Sequence, residues 1–330
     1  MASELASFLA AHPLLLGVAV LADLVLGDPV YRWHPIRLVG RALTAIEEAL
    51  RRLRLDGYLG GVVLFLLLAA GWVGATVALV SGAARVAPAL AWVLHAFLVY
   101  SLLALGDLIR HVRRVEQALV RDDLAGARGE IRKLVGRDAD TMDAAACRRA
   151  AIESLSENLT DGFTSPLFWY VVGGLPGLVL FKVVSTMDSM VGYRTPRYLQ
   201  FGWCGARLDD VMNFVPARIT WLLIAAVAVV VPRASSRKAL VVGLQQHAVL
   251  PGPNSGWSEA ATAGGIQRRL VGPIWIEQRL VTDTWIGDAS DPPAGSHDDV
   301  ITALTLVVIT GVAAAVLAAG ALIVLTSSLP

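Results

Sequence analysis

The chain has 330 residues, 55% hydrophobic and only 17% charged, with a formal net charge of +1. Its mean hydropathy of +0.61 sets it apart from soluble domains and assigns it to the membrane proteins. The charge balance gives nucleic-acid binding no support, and Cys147 and Cys204 cannot supply a disulfide framework or a zinc pattern.

In chain order, the N-terminus lacks the basic region of a secretory signal, so the apolar run Leu14 to Leu26 reads as retained. That run is short for a crossing, which takes about 20 residues, and it carries Asp23. The motif GDPVYRWHPIR follows and brings Asp28, Tyr31, Trp33, His34 and Arg37 to a membrane edge. Charges there must be paired or face water; a polar turn with interfacial aromatics is the plainer reading. Pro35 can open a helix. Ile36, Val39, Leu43, Ile46, Leu50 and Leu53 then recur every three or four positions, which predicts an amphipathic helix lying on a surface. Gly57 to Ala84 and Val86 to Gly106 predict a hairpin of two spans, with His95 as a packing residue.

From Asp107 to Asp161 the chain is polar, helical in pattern and rich in arginine, including Arg113, Arg121, Arg137 and Arg148. Basic excess beside spans marks the cytoplasmic side, which leaves the N-terminus outside. Phe163 to Phe181 is interrupted by GGLPG, and Ile219 to Val231 is too short for a straight crossing unless its polar flanks dip in. Broken helices at membrane depth are tolerated where they line a cavity, and in transporters they mark binding sites. Both segments therefore read as re-entrant, keeping the loop with Arg194, Arg197, Arg207 and Arg218 inside. Arg233 to Gly295 is polar and rich in Gly, Pro and Trp, and Ile301 to Leu325 is a last uncharged span. The expected architecture is all-α. It is a polytopic integral membrane protein with about four full transmembrane helices, two broken or re-entrant apolar segments and an amphipathic surface helix. Residues 1–330 form one membrane-embedded catalytic domain, with a cytoplasmic helical insertion about 107–161 and polar active-site loops about 185–218 and 233–299.

Three constellations carry possible chemistry. Glu153, Glu157 and Asp161 are spaced four apart and on an α-helix fall on one stripe. Like charges at that spacing repel, so a cation is called for. Mg²⁺ suits oxygen ligands and bridges carboxylates to phosphates. The alternative is a solvated acidic face balanced by Arg148 and Arg149, and Asn158 fits either. In the second, Asp188 lies in STMDSMVGY, and Arg207, Asp209, Asp210, Asn213 and Arg218 in ARLDDVMNFVPAR. They offer oxygen ligands and phosphate-binding guanidiniums, or else a charged interfacial loop. In the third, Asn254, Ser255 and Glu259 lie where a turn enters a helix, an anion site or simple capping. No Walker loop, HExxH, GxSxG or paired CxxC is present.

The blocks LADLVLGDPVYRWHPIRLVGR, ESLSENLTDGFTSPLFWYVVGGLPG, FKVVSTMDSMVGY, ARLDDVMNFVPARIT, PNSGWSEAATAG and WIGDASDPPAGSHDD, in that order, resemble the signature blocks of the CbiB/CobD family. Ser in ESLSEN and Trp-Cys in FGWCGARLDD are mild variations. The resemblance implies adenosylcobinamide-phosphate synthase activity in cobalamin biosynthesis: ATP-dependent amidation of the free propionate of adenosylcobyric acid with aminopropanol or its phosphate. It implies a bacterial inner-membrane, multi-pass enzyme whose active site faces the cytoplasm. ATP is co-substrate and Mg²⁺ cofactor, and other cobalamin-pathway membrane proteins or a second copy are conceivable partners. Within the matched blocks, Glu153, Glu157, Asp161, Lys182 and Asp188 are expected to do catalytic work. Glu157, Asp161, Asp188, Asp209 and Asp210 are expected to bind metal. His34, Arg37, Asn158, Arg194, Arg207, Asn213, Arg218, Asn254, Ser255 and Glu259 are expected to line the substrate cleft. All of them are expected to converge on one pocket at the inner face of the bilayer. A transporter of an anionic metabolite and a non-enzymatic relative resembling AmpE are the competing readings.

Overall fold

A computed structural model describes residues 6–27, 31–134, 138–276 and 279–327; Asp28 and Arg137 lie outside the described residues. In chain order the helices are α1 (Pro13–Leu26), α2 (Pro35–Arg52), α3 (Tyr58–Val86), α4 (Pro88–Ser101), α5 (Leu105–Val120), α6 (Leu124–Ile131) and α7 (Ala144–Leu159). A π-turn (Thr160–Thr164) leads into α8 (Ser165–Val191), followed by α9 (Trp203–Val227), α10 (Ser236–Gln246) and α11 (Ser255–Ile266). Strands β1 (Leu270–Ile276) and β2 (Arg279–Ile286) precede the last helix, α12 (His297–Ser327). The protein is a helical, polytopic membrane protein. Among the described residues five helical stretches are long and apolar enough to cross a bilayer: Tyr58–Val86, Pro88–Val120, Ala144–Val191, Trp203–Val227 and His297–Ser327. The packing divides the chain into two compact units, one of residues 1–104, 165–213 and 315–330, the other of 105–164 and 214–314.

In the first unit, α2 forms where the apolar period predicts it. Val39, Leu43 and Leu50 are buried against Leu64 and Leu68 of α3, Val183, Met187 and Val191 of α8, and Phe201. Removing such side chains from water contributes about 1.5–3 kcal/mol each. The hairpin of α3 and α4 turns on Ala87 alone.

The GGLPG break has a different role from the one expected. Gly174 adopts φ 61°, ψ −155°, a conformation that side-chain-bearing residues avoid. A Cβ there would lie 2.4 Å from the Leu9 carbonyl oxygen. The amide of Leu175 donates to that same oxygen at 2.9 Å. Nearby, His95 Nδ1 donates to the Phe8 carbonyl at 2.8 Å and the His12 amide donates to Tyr170 Oη at 3.0 Å. The Tyr170 hydroxyl then donates to His95 Nε2 at 2.8 Å. The break is thus filled by the chain's own N-terminal segment, which satisfies the backbone groups that a kinked helix releases. His95, read as a packing residue, is the hub of this buried network.

The segment at Ile219 to Val231 is extended by its polar N-terminal flank. Helix α9 begins at Trp203 and runs 25 residues. The polar run ARLDDVMN is helical rather than loop, and its turns supply the missing length. The second unit adds another departure from the sequence reading: β1 and β2 pair antiparallel, from Leu270↔Ile286 to Ile276↔Arg279. Here α11, built of small residues, is almost wholly buried and packs against α7 and α10.

Candidate functional site

In the first unit, α8 supplies Lys182 and Asp188, and the first turns of α9 supply Arg207, Asp209, Asp210 and Asn213. Gly205 sets their spacing, since a Cβ there would stand 3.0 Å from Met187 Cβ, so α9 starts hard against the turn bearing Asp188. Asp209 Oδ2 accepts from Asn213 Nδ2 at 2.9 Å, and Asn213 Oδ1 accepts from the Ser165 hydroxyl at 2.5 Å. Asn213 is 1% exposed, and its two bonds fix the Asp209 rotamer. Asp210 Oδ2 accepts from Arg207 Nη1 at 3.1 Å. The charges of Asp188, Asp209 and Asp210 act on one another, and Lys182 acts on Asp209. All four of these side chains are half-buried. Three carboxylates within electrostatic reach of one another repel at reduced dielectric.

The same unit holds a cavity of about 860 Å³ lined by Tyr31, Arg32, Arg37, Arg41, Glu48 and Met190. Met190 is two positions beyond Asp188 on α8. His34 is buried at the start of α2, its ring edge-on to Tyr31 with centroids 5.2 Å apart. Arg194 is exposed in the segment after α8. Its neighbour Arg197 instead pairs with Glu47 at 2.9 Å, and that hydrogen bond raises the Arg197 pKa.

The second unit holds the remaining expected residues. They do not share one environment: Glu153 and Glu157 lie on α7, one buried and the other exposed, and Asp161 lies in the π-turn. Glu153 is buried and its Oε1 accepts from the Val271 amide at 2.9 Å. Val271 has φ 68°, a strained position for a β-branched residue. Arg149 donates to its carbonyl at 3.2 Å, so Glu153 and Arg149 clamp both sides of that residue. Glu157 and Asn158 are exposed, and Asn158 Nδ2 donates back to the Ser154 carbonyl at 2.9 Å. Asp161 lies within the π-turn, a feature enriched at functional sites. Glu259 is buried on α11. Ser255 opens that helix, and Asn254 before it makes no side-chain cap; its Oδ1 faces Arg218 Nη1 at 3.4 Å.

Arg218 lies 3.5 Å from the Phe214 ring centroid and 4.8 Å from that of Trp257. His247 stacks on Trp257 at 3.9 Å. Sequence reasoning passed over this aromatic box, although Trp257 stands inside the PNSGW motif. It also missed the buried pair of Arg148 and Glu116, at 2.9 Å, with His297 Nδ1 at 2.9 Å from the same carboxylate. Lys238 bonds to Asp291 at 2.6 Å, which raises the lysine pKa, while amide and hydroxyl bonds from Ser290 lower that of Asp288.

Thus the structure gathers Lys182, Asp188, Arg207, Asp209, Asp210 and Asn213 in one unit, with Arg37 lining the cavity of that unit and His34 packed edge-on to Tyr31. It brings Arg218 to Asn254 in the other. Among the described residues no three carboxylate, imidazole or thiol groups are set to enclose one metal ion.

The chain matches the family profile described as CobD/Cbib protein over residues 16–324. The chain belongs to the CobD/CbiB family. Relatives include the "cobalamin biosynthesis protein CobD" of Rhizobium meliloti (strain 1021), 42% identical over 86% of this chain and 89% of that one. The protein of the same name from Sinorhizobium sp is 41% identical, covering 86% and 90%. The "cobalamin biosynthesis protein CbiB" of Salmonella typhimurium is 36% identical, covering 82% and 86%. No solved structure matches this member of the family.

Proposed function

We propose that this CobD/CbiB protein is the ATP-dependent amide ligase of cobalamin assembly. It joins the free propionate of adenosylcobyric acid to (R)-1-aminopropan-2-ol or its O-phosphate, in the bacterial inner membrane with its site toward the cytoplasm. The observation that carries the reading is the Lys182–Asp188–Asp209–Asp210 cluster in the same unit as an arginine-lined cavity of about 860 Å³.

A carboxylate is a poor acylating agent. Its oxygen attacks the γ-phosphorus of ATP, ADP leaves, and an acyl phosphate forms. The amine nitrogen then attacks the acyl carbon, phosphate leaves, and the nitrogen gives up its proton to a base. Such chemistry depends on positioning and on neutralising phosphate charge. Mg²⁺ is commonly held by one or two carboxylates plus substrate phosphates rather than by an all-protein cage. Asp188 and Asp209 suit that donor count, and the bound ion would supply charge neutralisation. Lys182 and Arg207 would draw the phosphates, and Asp210 would orient Arg207. Asp161 and Glu157, exposed or half-buried, are the candidates for the base that takes the ammonium proton. Arg37 and His34 would meet the corrinoid periphery, and Arg218, Asn254, Ser255 and Glu259 the amine substrate.

The test is amidation by the purified protein, with Asp188→Asn and Glu157→Gln as variants. Loss of about 10²-fold or more is expected for a base or metal ligand. Near-normal turnover in a folded variant removes that residue from the site. The transporter reading is the weaker one, because its main support, the broken helix, is occupied by residues 8–12.

A further inference from the structure

Helices α5 and α12 meet at two places within the second unit. Gly311 lies against Leu105, where a Cβ would come 2.5 Å from Leu105 Cδ2. Farther along, His297 reaches Glu116 at 2.9 Å. The two helices therefore run antiparallel, and a groove of about 570 Å³ opens along them. That volume lies in the ordinary range of ligand sites, about 300–1,000 Å³.

The groove has two ends of different chemistry. One wall is Ile301, Leu304, Val308 and Ile309, on a helix long and apolar enough to cross the bilayer. Its polar end is flanked by Arg113 and Arg121, both exposed. Glu116 also lines it, but its carboxylate is engaged by Arg148 through Nε and Nη2, both at 2.9 Å, and by His297. Arg113 and Arg121 have no ion pair among the described residues, so the polar end keeps a net positive charge. An apolar trough that starts at a polar helix end and continues along a spanning helix is filled in a membrane by an acyl chain. A pair of uncommitted guanidiniums at its mouth selects phosphate.

We propose that this groove is a binding site for an anionic phospholipid, with the phosphate between Arg113 and Arg121 and one acyl chain along Ile301 to Ile309. None of these residues belongs to the proposed amidation machinery.

The experiment is native mass spectrometry of the full-length protein in detergent, titrated with phosphatidylglycerol or with phosphatidylcholine of the same acyl chains. Each arginine near an anionic headgroup contributes roughly fivefold in affinity. Phosphatidylglycerol should therefore bind at least tenfold better than phosphatidylcholine. The double variant Arg113→Gln/Arg121→Gln should abolish that preference, and Val308→Trp should reduce retention of both lipids. Arg52→Gln, on an exposed surface, should leave the preference intact. Equal binding of the two lipids, a preference that survives the double variant, or equal loss with Arg52→Gln would overturn the proposal.

Discussion

Tyr170 shows how much a single hydroxyl can hold. It accepts from the His12 amide and donates to His95 Nε2, so Tyr170→Phe leaves two buried polar groups without a partner. Such groups cost about 1–3 kcal/mol each, and a lower melting temperature in detergent is expected, with the amidation rate per folded molecule unchanged. A variant as stable as wild type would mean that residues 8–12 are not pinned there. Asp188 is the opposite kind of residue. Its neighbours in charge are other carboxylates, so Asp188→Asn relieves repulsion. The variant should be at least as stable as wild type while losing turnover. That pairing of stability with inactivity is expected of a group kept for chemistry rather than for packing.

Among the elements, α8 makes the sharpest contrast. Gly174→Ala puts a Cβ 2.4 Å from the Leu9 oxygen at φ 61°. Gly173→Ala, one residue earlier, meets nothing within 4 Å. The first should destabilise by about 1–3 kcal/mol or more from backbone strain alone, and the second should be near neutral, both read as melting temperature. The buried pair of Arg148 and Glu116 tests how α5 is tied to α7. Glu116→Ala strands a guanidinium only 16% exposed, at a cost of about 3–5 kcal/mol, and Glu116→Leu with Arg148→Met should recover most of it. Other elements show what the sequence could and could not reveal. Helix α2 was legible because its period of apolar residues coincides with burial of Val39, Leu43 and Leu50. The start of α9 was not, because Arg207, Asp209 and Asp210 look like a loop until Gly205 and Asn213 dock them on α8. The hairpin of β1 and β2 hid behind Gly272 and Pro273, although Ile274, Trp275, Trp285 and Ile286 carry strand preference. The π-turn Thr160–Thr164, which carries Asp161, was not legible in the four-residue spacing of Glu153, Glu157 and Asp161.

For the whole molecule, the family and the membrane class were readable from ordered motifs and hydropathy alone. The grouping of Lys182, Asp188, Asp209 and Asp210 was partly readable, as motif neighbours without geometry. Which further residues serve the same turnover was not, because the candidates fall in two units assembled from discontinuous stretches of chain. If Asp161 and Asp188 act in one reaction, their effects will not add. The double variant Asp161→Asn/Asp188→Asn should then be no slower than the slower single variant. Additive losses in the logarithm of the rate would instead assign them to independent roles.

The most direct measurement is mass spectrometry of products from the purified protein in lipid, given adenosylcobyric acid, ATP, Mg²⁺ and either aminopropanol or its phosphate. The account expects a corrinoid whose mass has risen by the amine less one water, formed with one equivalent each of ADP and phosphate and absent with Asp188→Asn. No amide with either amine, or amide formed at full rate without nucleotide, would contradict it.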